Sequence, residues 1–182
     1  MKKSCLFLDR DGVINKKLPG AYITHPTEFE FLPGAQKAIA DLREHFSRIV
    51  IVTNQQGIGK GLMTENELQK VHDFMIAGLE EYGASIDAIY YCPELAGPDN
   101  QCRKPNIGMP LQAFRDFQDI RFKDSVIAGD SPSDMEMGYR CGMYTVCIRS
   151  HKEYKAKDFG KYRPHEVFGS LAEWAASTKK DL

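Results

Sequence analysis

Two acidic side chains stand two positions apart at the end of an apolar run near the start of the chain. Residues 5–8 read CLFL, and Asp9, Asp11 and Gly12 follow. Two carboxylates this close repel each other unless a cation or a shared proton relieves the repulsion. Hard metal ions prefer carboxylate oxygen as a ligand, so the pair predicts a metal site. The alternative is a polar turn, because Asp and Gly are common turn residues.

Polar residues also follow two later apolar runs. Thr53 and Asn54 come after the run at 48–52, and Asp130 follows the run at 125–128. Both runs have strand length and lack alternating polar residues, which is typical of strands buried on both faces of a parallel sheet. Ligands bind at the carboxyl ends of such strands, so we expect these polar residues to converge on one crevice with the acid pair.

These residue types are suited to phosphoryl transfer. A metal held by Asp9, Asp130 and one backbone carbonyl leaves positions for water and a phosphate oxygen, as Mg2+ prefers. One carboxylate can attack phosphorus to form an aspartyl-phosphate, and a second can protonate the leaving alkoxide and then activate water. The Thr53 hydroxyl and the Lys104 ammonium would offset charge on the transferring group.

The elements that must position these residues alternate between strands and helices. Predicted strands cover residues 5–8, 48–52, 86–91, 125–128 and 144–148, with a short one near Val167, and predicted helices cover 34–46, Thr64 to Leu79, 109–117, 132–141 and 171–176. This order predicts an α/β fold, with a doubly wound, Rossmann-like parallel sheet and helices on both faces. A length of 182 residues predicts one domain over residues 1–182.

Composition argues against several classes of function. A net charge of −1 gives no basic face for nucleic acid or an anionic membrane. No apolar run approaches the roughly 20 residues of a membrane helix, and the N-terminal run ends at Asp9, too early for a signal peptide. The five cysteines are odd in number and indicate no disulfide framework, so we expect reduced thiols in a cytoplasmic protein. A monomer acting on a small phosphorylated metabolite is the expectation.

Four stretches resemble the four motifs of the haloacid dehalogenase (HAD) superfamily, in the right order. They are LFLDRDGVIN, IVTNQQGIGKG, CRKPNIGM and VIAGDSPSDMEMG. The FLDRDG-x-IN opening, EFEF-x-PG, VTNQ-x-GI and the YYCP–CRKP pair are similar to the D-glycero-D-manno-heptose 1,7-bisphosphate 7-phosphatases and the related histidinol-phosphatases. The resemblance implies a HAD-type fold and a Mg2+-dependent phosphomonoesterase that acts through an aspartyl-phosphate. The expected reaction is removal of the 7-phosphate of heptose bisphosphate, and histidinol phosphate or another small sugar phosphate is the alternative substrate.

The resemblance also implies roles for individual residues. Asp9 would be the nucleophile and Asp11 the general acid/base, while Asp9, the backbone carbonyl of Asp11, and Asp130 would bind Mg2+. Thr53 and Lys104 would act in catalysis by steadying the phosphoryl group. The residues expected to bind substrate are Asn54, Gln55, Gln56, Arg103 and Lys104.

Two positions depart from the subfamily pattern. Its members often hold zinc with cysteine and histidine in the loop between YYCP and CRKP; here Cys92 and Cys102 remain, but Glu94 and Asn100 replace the other ligands. Structural zinc sites need four ligands, mostly thiolate and imidazole, so zinc is not expected. Ser131 stands where the heptose enzymes tend to have lysine, which leaves the exact sugar phosphate open.

Three polar residues near these motifs are expected to have structural or solvent-exposed roles. Asp134 lies three residues after Ser131, so it is expected to complete a capping box at a helix start, with support of the metal as the alternative. Lys16 and Lys17 are expected to be solvated surface side chains, although they could reach a distal phosphate.

The short intervals between motifs leave no room for a cap domain. Asp11 and Thr53 are separated by one loop, a helix and a strand, and Asn54 and Lys104 by little more. We therefore expect an open crevice whose specificity is set by the surrounding loops. A non-enzymatic phospho-acceptor resembling a response-regulator receiver is the alternative from another class. Asp11 argues against it, because an acid beside Asp9 is placed to hydrolyse the phosphoryl group.

Overall fold

The centre of the protein is a six-stranded parallel sheet, seen in a computed structural model that describes residues 2–97, 100–149 and 154–178. The strands are β1 (Lys3–Leu8), β2 (Phe46–Asn54), β3 (Ala88–Cys92), β4 (Val126–Gly129), β5 (Tyr144–Ile148) and β6 (Glu166–Phe168). The helices are α1 (Ala35–Leu42), α2 (Glu65–Glu80), α3 (Gly108–Asp116), α4 (Pro132–Cys141) and α5 (Leu171–Thr178). The strand order is β3-β2-β1-β4-β5-β6, and every pairing is parallel.

Alternate residues of the central strands enter two separate cores. Leu6 and Leu8 of β1 belong to a core that includes side chains of α1, α2 and α5. Cys5 and Phe7 face the other way, into a core built with α3 and α4. Successive side chains of a strand point to opposite faces, so this division puts helices on both sides of the sheet. The predicted doubly wound α/β fold is confirmed.

Two helices that flank the crevice begin at the sequence signals that predict them. At the start of α2, the Glu67 backbone N–H donates to Thr64 Oγ1 at 3.2 Å, and the Thr64 N–H donates to the Glu67 carboxylate at 2.7 Å. Helix α4 begins at Pro132, after the N-cap residue Ser131, and ends at Cys141; the C-cap residue Gly142 has a φ of 72°, which suits a residue without a Cβ. The capping signals in the sequence therefore locate the starts of both helices.

Two details of the predicted elements are wrong. Helix α1 ends at Leu42, because residues 43–45 turn, and Phe46 begins β2 and packs against Trp174 with ring centroids 6.3 Å apart. The helical spacing of Phe74 with Leu68 and Val71 predicts that Phe74 lies on the buried face of α2, but its side chain is 44% exposed and meets Phe29 edge-on. Helical spacing alone does not distinguish a core residue from an apolar residue just beyond the helix, such as Phe46, or at the border of its buried face, such as Phe74. Both errors arise in this way.

The segments between the strands are short. Between β1 and β2 the described chain holds one short 3-10 turn (Pro26–Glu28) and α1, and between β2 and β3 it holds α2, so these segments contain no separate cap. Within the described ranges, every helix is too short or too polar to cross a membrane. The assignment of the whole chain to one domain stays a prediction.

Candidate active site

Polar side chains from four segments meet at the carboxyl edge of the sheet, where the strand order reverses between β1 and β4. They line a cleft of about 200 Å³. Its lining residues are Asp9, Asp11, Lys17, Thr53, Asn54, Arg103, Lys104, Asp130, Ser131 and Ser133. The reversal point of an open α/β sheet is where ligands bind, because the connections on either side diverge there and leave a crevice. The residues that the sequence predicts to converge do lie together.

Lys104 is the buried cation of this cleft, with a side chain only 2% exposed. Its ammonium donates to Asp9 Oδ1 at 2.8 Å, to Asp134 Oδ1 at 2.6 Å and to the Val52 carbonyl at 3.1 Å. Burial by itself would lower the pKa of Lys104, but the two carboxylates raise it above its ordinary value. Lys104 is therefore charged, and its backbone N–H is fixed by Asn54 Oδ1 at 3.1 Å.

Asp9 lies directly beyond β1 and is 6% exposed. Its Oδ1 accepts from the Arg10 backbone N–H at 2.8 Å and from Lys104. Burial raises the pKa of Asp9 to about 7; the Lys104 charge opposes this rise, while Asp134 and Asp130 add to it. The buried carboxylates outnumber the buried cation, so the cleft is electrostatically suited to receive a further cation.

The carboxylates of Asp9, Asp130 and Asp134 form a cluster, with one oxygen of each within 4.8 Å of the others. An all-carboxylate donor set fits Mg2+, which prefers oxygen ligands. The Lys17 ammonium forms an ion pair with Asp130. Burial lowers the pKa of Lys17, but Asp130 and Asp9 raise it above its ordinary value, so the lysine neutralises part of the cluster. The expectation that Lys17 is a solvated lysine is wrong.

Asp134 has both a capping contact and a contact with the cleft. Its Oδ2 accepts from the Ser131 backbone N–H at 3.1 Å and from the Ser131 hydroxyl at 2.5 Å, which confirms the predicted capping role. The pairing of its Oδ1 with Lys104 was not predictable from spacing. Gly129 makes this approach possible, because a Cβ there would lie 2.3 Å from the Asp134 Cβ.

The carboxylate of Asp11 faces the cleft but lies outside the carboxylate cluster. The Arg10 guanidinium donates to both Asp11 oxygens at 2.9 Å, and the side-chain amides of Asn15 and Gln55 each donate at 2.9 Å. Burial alone would raise the pKa of Asp11, but the Arg10 charge and these hydrogen bonds hold it below its ordinary value. Asp11 is therefore held as a carboxylate. Metal binding by its backbone carbonyl stays a prediction.

A second cleft of about 190 Å³ adjoins the first and shares Asp11, Lys17 and Asn54 with it. The loop residues Leu18, Ala21, Tyr22 and Ile23 line its outer side, together with Arg10 and Gln55. Gln55 is 1% exposed, and its amide also donates to Thr53 Oγ1 at 2.9 Å. Gln56, predicted to bind substrate, lines neither cleft.

The loop between YYCP and CRKP contains a disulfide between Cys92 and Cys102, with the two Cα atoms 5.6 Å apart. The expectation of reduced thiols is wrong for this pair, because the end of β3 and the turn before Arg103 lie within disulfide range. Cys5, Cys141 and Cys147 are free, as expected. Disulfide sulfurs are not thiolate ligands, so Cys92 and Cys102, bonded to each other, do not offer thiolates to a structural zinc site. The absence of zinc remains a prediction.

Comparison with known proteins connects this geometry to a family. The family model described as HAD-hydrolase-like matches residues 101–174. Over 135 residues the chain is 42% identical to the D-glycero-alpha-D-manno-heptose-1,7-bisphosphate 7-phosphatase of Mycobacterium bovis, which covers 74% of this chain and 71% of that relative. The chain belongs to the HAD-like phosphatases. It is therefore a phosphoric monoester hydrolase, and the alternative of a non-enzymatic, receiver-like phospho-acceptor is wrong.

Two further similarities cover nearly all of this HAD-like phosphatase. It is 34% identical to the D-glycero-beta-D-manno-heptose-1,7-bisphosphate 7-phosphatase of Haemophilus ducreyi, over 95% of this chain and 97% of that one. Its fold matches the crystal structure of D,D-heptose 1,7-bisphosphate phosphatase from B. bronchiseptica, complexed with magnesium and phosphate, with a TM-score of 0.86, 30% identity and full coverage of both chains. The similarity thus extends over the loops around the clefts as well as the sheet.

Proposed function

We propose that this phosphatase removes the 7-phosphate of D-glycero-D-manno-heptose 1,7-bisphosphate in a Mg2+-dependent reaction that passes through an aspartyl-phosphate on Asp9. The observation that carries the proposal is the buried contact of Lys104 with Asp9 and Asp134, at the reversal point of the sheet. This contact brings the proposed nucleophile, Asp9, and a cation, Lys104, to the same small cleft. The substrate named for the two sequence relatives supports the choice of sugar.

The residues that would hold Mg2+ are Asp9 and Asp130, with the Asp11 backbone carbonyl as the third ligand implied by the family resemblance. Asp134 lies in the same cluster but is already bonded to Ser131 and Lys104, so we propose that it supports the site indirectly. When bound, the ion would offset the negative charge that the substrate phosphate brings to the buried carboxylates.

Asp9 Oδ2 is proposed as the attacking atom, because Oδ1 is already engaged by the Arg10 N–H and Lys104. As the Asp9–phosphorus bond forms, the bond from phosphorus to the sugar oxygen breaks, and its electron pair stays on that oxygen, which takes a proton from Asp11. Lys104 and the Thr53 hydroxyl steady the phosphoryl oxygens during this step.

In the second step, water attacks phosphorus and gives a proton to Asp11, while the bond to Asp9 breaks and its electron pair returns to the Asp9 carboxylate. The structure holds Asp11 in the carboxylate form that this step needs. The first step needs a protonated Asp11, so we expect this step to be slowest for substrates that have a poor leaving group.

The second cleft is proposed to hold the sugar. It opens from the reacting cleft at Asp11 and Asn54, and its outer wall is a loop that carries apolar and tyrosine side chains. Arg103, which also lines the reacting cleft, would contact the remainder of the substrate. We propose substrate contacts for Asn54 and Arg103 and a positioning role for Gln55; direct binding by Gln56 is the least supported of the predicted contacts.

The test is phosphate release across a panel of both anomers of heptose 1,7-bisphosphate, histidinol phosphate and simple sugar phosphates, with Mg2+ and with EDTA. We expect one heptose anomer to have the highest kcat/KM, and EDTA to abolish turnover until Mg2+ is restored. Asp9→Asn is the control, since the amide is nearly isosteric but cannot attack phosphorus. A preference for histidinol phosphate would overturn the substrate, and full activity in EDTA would overturn the metal requirement.

A monomeric state and a cytoplasmic location remain predictions from the sequence. Analytical ultracentrifugation tests the first, and cell fractionation tests the second.

A further inference from the structure

Arg10 is a buried guanidinium beside the second cleft, and two of its three nitrogens have side-chain partners. It is 1% exposed and is among the largest fully buried side chains in the described residues. A buried guanidinium is costly unless its donors are paired. One terminal nitrogen, Nη2, donates to both oxygens of Asp11 at 2.9 Å, and the other, Nη1, lies 3.1 Å from Nε2 of His72. The third nitrogen, Nε, is buried without a hydrogen-bond partner among the described residues.

His72 comes from a distant part of the chain. It lies on the buried face of α2, is 3% exposed, and is 62 residues from Arg10 in sequence. Its ring meets Tyr91 edge-on, with centroids 6.2 Å apart. A guanidinium can only donate, so Nε2 of His72 must be the acceptor, and the imidazole is neutral with its proton on Nδ1.

The side chains of His72, Arg10 and Asp11 contact one another in turn, and Asp11 lines the reacting cleft. His72 contacts Nη1 of the Arg10 guanidinium, and Nη2 of the same group donates to both oxygens of the Asp11 carboxylate. Both bonds to the carboxylate share Nη2, so a rotation of the guanidinium that moves this nitrogen weakens the two bonds together. Asn15 and Gln55 complete the hydrogen bonds of Asp11.

We propose that His72 is a positioning residue of this phosphatase: through Arg10, it holds the Asp11 carboxylate where it accepts the proton of the water that hydrolyses the aspartyl-phosphate. The inference rests on the proposed function, because it takes Asp11 as the acid/base group and Asp9 as the phosphorylated group. His72 lines neither cleft and lies outside the carboxylate cluster, so it acts on the site through Arg10, which lines the second cleft and bonds to Asp11.

This role has a kinetic signature that general packing lacks. With 4-nitrophenyl phosphate the leaving group needs no proton, so phosphorylation of Asp9 proceeds even when Asp11 is misplaced. Hydrolysis of the aspartyl-phosphate still needs Asp11. Loss of His72 should therefore make the second step rate-limiting, and nitrophenolate should appear in a rapid burst of about one equivalent per enzyme, followed by slow turnover.

The experiment compares His72→Leu, which has no acceptor, with His72→Gln, whose amide oxygen can accept from Arg10. We expect His72→Leu to lower the steady-state kcat on 4-nitrophenyl phosphate about 10- to 100-fold and to show the burst. A slower second step should lower KM together with kcat, and should leave kcat/KM within about 3-fold of the wild type. His72→Gln should keep kcat within about 5-fold of the wild type and show no burst. Met75→Leu, a conservative change in the same buried face of α2, controls for altered packing.

Three outcomes would overturn the proposal. In the first, His72→Leu is folded by circular dichroism and retains the wild-type kcat. In the second, His72→Leu and Met75→Leu lose activity equally, which would make His72 a packing residue. In the third, kcat/KM falls as far as kcat without a burst, which would place the defect in phosphorylation of Asp9. The proposed substrate fails separately, if the wild type cleaves 4-nitrophenyl phosphate but not heptose bisphosphate; a wild type inactive on every phosphate would remove both proposals.

Discussion

Replacing His72 with glutamine removes one titrating group from the buried side of the candidate active site. The ordinary pKa of a histidine is 6.5, and in the folded protein burial, followed by the Arg10 charge, lowers the pKa of His72 to about 3. Asp11 and Asp73 act in the opposite direction but do not prevent the shift. The Tyr91 ring packs edge-on against the imidazole.

The sign of the effect on stability follows from proton binding. Below pH 6.5 the unfolded chain protonates His72, whereas the folded protein keeps it neutral until about pH 3. Acid therefore favours the unfolded state, and stability that is fully present above pH 6.5 is lost as the pH falls. One pKa unit is worth about 1.4 kcal/mol, so the loss attributable to His72 is about 2 kcal/mol at pH 5 relative to pH 8.

The assay is urea unfolding followed by the fluorescence of Trp174, the single tryptophan, at pH 5, 6, 7 and 8. Other groups titrate in both proteins, so the difference in unfolding free energy between wild type and His72→Gln isolates the histidine. The difference should change by about 2 kcal/mol across this range, in the direction that makes the variant relatively more stable in acid. Met75→Leu, which removes no titrating group from the same buried face of α2, should show a constant difference from the wild type. A constant difference for His72→Gln would refute a neutral, buried His72.

Three further predictions concern other parts of the structure. Asp87→Asn should lower the free energy of unfolding by about 1–2 kcal/mol at pH 7, because Asp87 accepts from Arg43, Arg48 and the Ile49 N–H. Burial opposes a low pKa of Asp87, but these partners hold its pKa below the ordinary value of 3.8. The stability that the carboxylate contributes is therefore present above pH 3.8 and is lost as the pH falls through the pKa of the folded protein. Gly129→Ala should destabilise the protein by about 2–3 kcal/mol and reduce turnover, because the new Cβ overlaps Asp134. Asp11→Asn should be nearly inactive and accumulate phosphorylated Asp9 if the second step is blocked more than the first.

Each of these predictions has its own check. Urea unfolding at pH 7 and pH 3 tests Asp87→Asn, and an equal loss at both values would show that the charge has no part in it. Gly97→Ala is the matched control for Gly129→Ala, because a Cβ at position 97 meets nothing within 4 Å; equal stability of the two variants would contradict the steric argument. For Asp11→Asn, mass spectrometry of rapidly quenched enzyme should detect the added phosphate, and wild-type turnover would remove Asp11 from its role.

The sheet and the convergence of the acids could be predicted because both depend on local pattern. Each buried strand is an apolar run followed at once by its polar residue, and parallel strands bring those ends to one edge. Asp9, Thr53 and Asp130 were found in this way. The capping contact of Asp134 follows from a spacing of three residues, which is also local.

The contacts that depend on tertiary packing could not be predicted. Nothing near Lys17 indicates that its ammonium reaches Asp130, because the loop that carries it has no periodic pattern. The spacing between Cys92 and Cys102 does not fix their pairing, which requires the end of β3 to lie beside the following turn. One sequence feature could have indicated that His72 is buried: it lies four residues after Leu68, at helical spacing on the same face of α2.

Chemical trapping at Asp9 tests the proposed mechanism most directly. Enzyme mixed with Mg2+ and heptose 1,7-bisphosphate would be quenched within one turnover and treated with borohydride, which reduces an aspartyl-phosphate to homoserine. Peptide mass spectrometry should then find homoserine at position 9 in the wild type, and none in Asp9→Asn or in enzyme quenched without substrate. Homoserine at another aspartate, or rapid phosphate release with no modification at position 9, would contradict Asp9 as the nucleophile.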